Sequence, residues 1–130
     1  MGESKTDPAE PLLDFERLDV YRLACEFQSL AFRVAARAGA VCRNELERAS
    51  LSIVLNIAEG AGRRSAAEKA RFYVIARGSA TESAALLDVL ALNRRISTSD
   101  ARAGRAQLIR IVHMLSRLVA RWTPPAVTVD

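Results

Sequence analysis

Five arginines, Arg102, Arg105, Arg110, Arg117 and Arg121, fall within a stretch from Ala101 to Trp122 that holds no acidic residue. A solvated helix face generally mixes both signs. A one-sign run of planar donor forks instead suits a polyanion, and nucleic acid is the common one. Arg63 and Arg64 follow Gly60-Ala61-Gly62 and precede a helix start, where backbone N–H groups favour an anion. The glycine pair is a poor phosphate loop, because no Gly-Lys-Ser/Thr ending follows and no strand precedes. From Arg63 to Arg121, twelve basic residues face only Glu68, Glu82, Asp88 and Asp100. With few aromatic residues for base stacking, phosphate contacts and shape would lead the binding. The same charge also admits a plainer reading: solubility, or docking of an acidic protein partner.

Other chemistry finds little support. His113 is the single histidine, and Arg110 stands three residues before it, so the Glu-x-x-His pairs of a di-iron bundle are missing. Cys25 and Cys42 are lone thiols without CxxC spacing, which indicates neither a disulfide framework nor a zinc site. No serine, cysteine or histidine sits in a nucleophile–base pattern. The expectation is a non-enzymatic protein with no catalytic residue, metal or cofactor.

Charge is unevenly distributed. The chain has 130 residues and a net charge of +4, but Glu3, Asp7, Glu10 and Asp130 lie in its terminal segments against Lys5. Between those segments eighteen basic residues meet eleven acidic ones, or +7, and seventeen of the basic residues are arginines. No secretory leader pattern is visible, and no apolar run approaches the ~18–20 residues a membrane span needs. A cytoplasmic protein with reduced thiols is the expectation.

Four long Pro-free stretches must position these residues. Residues 1–13 read as a polar tail and 123–130 as a second tail, with helices between. The first helix is expected from Asp14 to about Ala38. It has two apolar flanks, Leu18, Tyr21, Cys25, Phe32 and Ala36 on one side and Val20, Leu23, Phe27, Leu30 and Val34 on the other. That surface is wider than the ~100° stripe of an ordinary surface helix. Arg22, Arg33 and Arg37 share an arc with Asp19 and Glu26, which makes them weaker phosphate candidates. Gly39 is expected to end this helix, and Asn44 to cap the next with Glu47 as its box partner.

The second helix runs to about Gly60, where Gly60-Ala61-Gly62 is expected to turn the chain. Asn56 and Glu59 are polar on an otherwise apolar surface, and would satisfy the backbone at that turn or act across a subunit contact. Ser65 and Glu68 predict the start of the third helix, which runs to about Leu92 with Phe72, Ile75, Ala76, Ser79, Leu86 and Leu90 inward. Gly78 interrupts it at a cost of roughly 1 kcal/mol, which predicts close approach of another backbone, within the subunit or across an interface. Ser97 and Asp100 start the fourth helix, which reaches about Trp122. Its apolar residues Leu108, Ile111, Val112, Leu115, Leu118, Val119 and Trp122 fill a ~120° arc. Four long helices with short links predict an all-α, antiparallel up-down four-helix bundle.

The middle of the chain carries a more specific signature. Ala49-Ser50-Leu51-Ser52-Ile53, Asn56-Ile57-Ala58-Glu59-Gly60, Gly62-Arg63-Arg64-Ser65, Glu68, Arg71-Phe72, Ile75-Ala76-Arg77-Gly78-Ser79 and Glu82 stand in fixed succession. This pattern resembles the four-helix bundle family first noted as reading frames in intervening sequences of bacterial large-subunit ribosomal RNA genes. The family includes accessory variability proteins of diversity-generating retroelements. The resemblance implies a homo-oligomer, typically a pentameric ring. The accessory variability proteins bind nucleic acid and associate with a reverse transcriptase, so RNA or DNA is an expected partner and such a polymerase a candidate one, although most family members have no assigned activity. Val54 stands where the family usually has proline, which implies a straighter second helix. The link between helices one and two lacks the usual Phe-Pro segment, and Ala84 replaces a second acid of the third helix.

Overall fold

A computed structural model describes residues 11–125; of the tails expected over 1–13 and 123–130, residues 1–10 and 126–130 lie outside that range. Helices α1 (Asp19–Ala35), α2 (Ala40–Gly62), α3 (Ala66–Leu92) and α4 (Thr98–Trp122) follow a short 3-10 turn at Asp14–Arg17, and the described residues contain no strand. Each helix packs on its neighbours in sequence, and α4 closes the ring against α1. The short links make successive helices antiparallel. One end of the bundle therefore collects the starts of α1 and α3 and the ends of α2 and α4.

The start of the first helix differs from expectation. Leu18 is extended (φ −94°, ψ 123°), which separates the Asp14–Arg17 turn from α1. Leu13 N–H donates to the Glu16 carboxylate at 3.0 Å, and Phe15 packs on Tyr21 with ring centres 4.6 Å apart. The detached turn lies against both α1 and α2. Of the two apolar flanks of α1, the one with Val20, Leu23, Phe27, Leu30 and Val34 is buried, whereas Phe32 on the other is 47% exposed.

Gly39 does not end α1. It has a φ of 83° and enters α2, its carbonyl accepting from Arg43 N–H at 2.9 Å. A backbone shape that costs glycine little thus starts α2 at Ala40. Asn44 is left inside the first turns rather than at the cap. The other end of α2 is also corrected. Gly60 and Gly62 are helical, and the chain turns at Arg63, which is extended (φ −76°, ψ 152°). Gly60 is there for contact: a Cβ added to it would lie 2.9 Å from the Tyr73 ring. α2 continues unbroken through Val54.

Caps at the two remaining starts form as expected. Ser65 Oγ accepts from Glu68 N–H at 3.1 Å, and Ser97 Oγ accepts from Asp100 N–H at 3.0 Å; each such cap is worth about 1 kcal/mol. The inward face of α3 is Tyr73, Ala76, Ala80, Ser83, Leu87 and Leu90, while Ile75 is 39% exposed. Small residues along this face let α2 and α4 approach, and Ser83 Oγ satisfies itself by donating to the Ser79 carbonyl at 2.9 Å. Gly78 lies on the exposed side, and a Cβ there would meet nothing within 4 Å. Close packing of its backbone within the subunit is therefore not the reason for it. Gly104, which carried no sequence signal, is the tight one on α4: its Cβ would lie 2.6 Å from Leu87 Cδ1. The core itself is Phe27, Leu46, Ile53, Ile57, Leu87, Leu90, Leu108, Ile111 and Leu115, all nearly or fully buried.

Candidate nucleic-acid interface

Packing of Leu108, Ile111 and Leu115 into the core fixes which way α4 faces. Arg102, Arg105, Arg110, Arg117 and Arg121 are consequently all exposed, as is His113. None of the five arginines has a carboxylate within 4.0 Å among the described residues. At about 1.5 Å per residue, Arg102 to Arg121 spans roughly 28 Å, comparable to eight base-pair steps of ~3.4 Å. At 100° per residue, Arg110, Arg117 and Arg121 share a ~40° arc. Arg117 and Arg121 border the groove towards α1, beside Arg17, while Arg105 borders the groove towards α3, beside Thr81 and His113. The α4 arginines thus form a ridge with two flanks.

Arg63 and Arg64 lie apart from most of this ridge, in the α2–α3 turn. Arg63 is already engaged: it reaches Glu59 at 3.2 Å and Glu68 at 3.5 Å, and its guanidinium sits 4.8 Å from the Phe72 ring centre. Its Nε is buried without a partner among the described residues. Arg64 is exposed and forms no ion pair among those residues. Of the weaker candidates, Arg22 pairs with Glu26 at 3.1 Å, whereas Arg33 and Arg37 are exposed without such a pair among the described residues.

The polar residues of the signature line the outer seam between α2 and α3. Asn56 Nδ2 donates to the Ser52 carbonyl at 2.8 Å and to Ser52 Oγ at 3.0 Å, so it acts within its own helix and not on the turn. Ser52 and Ser79 share a 2.8 Å hydrogen bond across the seam. Arg48 joins Glu45 on α2 to Glu82 on α3, and these carboxylates push its pKa up. Glu59 holds Arg63 across the turn. By helical spacing from the Ser52–Ser79 bond, Leu51 and Leu55 on α2 and Ile75 and Gly78 on α3 fall on the outer side of this seam. Leu51, Leu55, Val74 and Ile75 are 42%, 56%, 43% and 39% exposed, a polar-rimmed apolar face.

The bundle end holds residues that sequence reasoning passed over. Lys69 Nζ donates to the Ala61 carbonyl at 2.8 Å and to Gly60 at 3.4 Å, closing off α2. Lys69 and Arg121 both lie near the Trp122 ring, at 5.3 and 5.2 Å from its centre. Arg17, the last residue of the separate Asp14–Arg17 turn, lines this end as well. Burial pushes the Tyr73 hydroxyl up, Asp14 adds to this and Arg121 opposes it. Among the described residues, no group of three or more His, Cys, Asp or Glu side chains could hold a metal ion. No helix there is long and apolar enough to cross a membrane.

Comparison with known proteins agrees with this architecture. No curated protein matches the chain. A solved structure from Bacteroides thetaiotaomicron VPI-5482, described as a protein of unknown function from the S23 ribosomal protein family, superposes with a TM-score of 0.74. The identity is 20%, over 77% of this chain and 97% of that one, and at that level the likeness speaks for the fold alone. The family model described as 23S rRNA-intervening sequence protein matches residues 16–117. That range takes in α1, α2, α3, most of α4 and the whole seam signature. With the bundle observed and most of the chain matched, this protein belongs to the 23S rRNA-intervening sequence protein family.

Proposed function

We propose that the protein is a non-enzymatic, oligomeric accessory protein of the cytoplasm that binds RNA or DNA through the phosphate backbone. The observation that carries this reading is the α4 ridge, five exposed arginines without a carboxylate partner among the described residues. Firm core packing holds the ridge on a regular helix, so the charges are presented at set intervals. Arg64 would extend the contact around the bundle end, while Arg63 would first have to leave Glu59 and Glu68.

Salt dependence is the test. If all five arginines neutralise phosphates of a duplex, log K should fall with log salt at a slope of about −4.5, and of about −3.5 for a single strand. Between 50 and 200 mM salt the duplex affinity would drop by roughly 500-fold. Fluorescence anisotropy of labelled RNA and DNA reads this directly. The Arg110→Glu, Arg117→Glu, Arg121→Glu triple variant should bind far more weakly at every salt concentration. Absence of binding at low salt, or a flat salt response, would remove the reading in favour of an acidic protein partner on the same ridge.

Self-association is supported by the apolar seam face around Leu51, Leu55, Val74 and Ile75. Copies meeting there would cover exposed apolar area and the bare backbone at Gly78, and a closed ring, a pentamer by family resemblance, would leave the α4 ridges free. Light scattering should give a multiple of the 14.2 kDa chain mass, and a monomer at micromolar concentration would exclude it. A reverse transcriptase as partner belongs to the same proposal; co-purification with a polymerase encoded beside this gene would test it.

A further inference from the structure

The end of the bundle that gathers Arg17, Lys69, Tyr73, Arg121 and Trp122 is concave. A cavity of ≈ 360 Å³ lies among these residues and Asp14, and an adjoining one of ≈ 330 Å³ shares Arg17 and Arg121 and adds Arg117. Both fall within the ~300–1,000 Å³ of small-ligand sites. Four cations line the pair of cavities against two carboxylates, Asp14 and Asp19. Arg17, Arg117 and Arg121 form no ion pair within 4.0 Å among the described residues. Lys69 is spent on the α2 carbonyls, so it stiffens the wall and is not counted as a ligand donor. Compensation of the α4 helix dipole explains a cation in its last turn. It does not explain Arg17, which comes from a separate turn and converges on the same opening.

We infer that this cleft is a site for a phosphate monoester, the terminal phosphate of a nucleic-acid strand or of a mononucleotide. A monoester carries about −1.5 to −2 charge and three acceptor oxygens, which suits arginine forks that line adjoining cavities. A passing phosphodiester offers one charge and needs an exit on each side. Leu18, Leu118 and Tyr73 line the same cavity, and the more highly charged end of a strand answers three arginines better than a diester does. Arg121 and Trp122 lie beyond the residues matched by the family model, so the site is read from this chain's own residues. The inference rests on the nucleic-acid reading for its larger ligand, but fails or stands separately.

Trp122 is the single tryptophan of the chain, so its intrinsic fluorescence reports on the cleft. The probes are adenosine monophosphate, adenosine, and one short RNA with a 5′-phosphate or a 5′-hydroxyl. We expect 5′-phosphorylated RNA to bind about tenfold more tightly than its hydroxyl form, as for one added charge-assisted contact. Arg17→Gln and Arg121→Gln should erase that preference, whereas Arg95→Gln, at the far end of the bundle, should leave it. Circular dichroism of each variant excludes loss of fold as the cause. A saturable response to adenosine monophosphate, absent with adenosine, identifies a mononucleotide as sufficient; an end preference without that response identifies the strand end. RNA binding that is blind to the end, with no nucleotide response, overturns the cleft and leaves the ridge. A nucleotide response without RNA binding removes the ridge and keeps the cleft.

Discussion

Gly78→Ala and Gly60→Ala should move stability in opposite directions, although both glycines are helical and belong to the same signature. Alanine improves on glycine in a helix interior by about 0.8–1.0 kcal/mol. At Gly78 nothing within the subunit stands within 4 Å of the new Cβ, so the gain is kept in the dissociated chain. For a 130-residue chain about 1 kcal/mol raises Tm by roughly 3–5 °C. At Gly60 the new Cβ would lie 2.9 Å from Tyr73 Cε1 and 3.1 Å from Phe72 Cβ. Tyr73 is 2% exposed and its ring cannot swing away freely, so overpacking of about 1–3 kcal/mol applies. Gly60 also stands near the helix end, where the propensity gain is smaller. The expected net effect is a loss of about 1–2 kcal/mol. Urea unfolding followed by circular dichroism, at matched protein concentrations, measures both. Gly60→Ala as stable as the parent would refute the close approach to Tyr73. Gly78→Ala less stable than the parent only at concentrations where the protein self-associates would place this glycine in the proposed contact between copies; a loss at every concentration would refute the open space around it within the subunit.

Arg94 has a φ of 56° at the end of α3, where Arg95 N–H donates to the Leu90 carbonyl at 2.8 Å; Arg94→Gly should therefore stabilise the fold by about 1 kcal/mol, measured by thermal melting. Leu115→Ala should cost about 2–5 kcal/mol, because Leu115 is fully buried on the α4 face that orients the ridge; a urea midpoint near that of the parent would contradict its place in the core. Removing Arg48 by Arg48→Ala should leave stability nearly unchanged, since its pairs with Glu45 and Glu82 are about half exposed and screened by solvent; a denaturation midpoint clearly below that of the parent would contradict this. Tyr73 holds its proton more tightly folded than unfolded, because burial raises its pKa above 10.0. Its contribution is fully present below the unfolded pKa and is lost as pH rises through the folded one, so Tyr73→Phe should flatten the loss of stability on the alkaline side in a pH-dependent melt.

By itself the sequence determined the number of helices, the Ser65 and Ser97 starts, the ends near Leu92 and Trp122, and the inward stripe of α4. These are local properties: capping chemistry acts within four residues, and an amphipathic stripe repeats every turn. The family signature was legible for the same reason, as a run of residue types in one stretch. Three things were decided only by tertiary packing. Gly60 looked like a turn because a glycine pair usually is one, yet it remains helical to admit the Tyr73 ring, which lies on another helix. Ile75 was expected inward but is 39% exposed; apolar and charged residues are both spread round α3, so its orientation came from which face the small residues let α2 and α4 approach. The candidate site divided likewise. The α4 arginines were found from their spacing on one helix, but the engagement of Arg63 and the convergence of Arg17 with Arg117 and Arg121 join segments far apart in the chain. Proximity of that kind has no periodicity to betray it, because closing the bundle creates it.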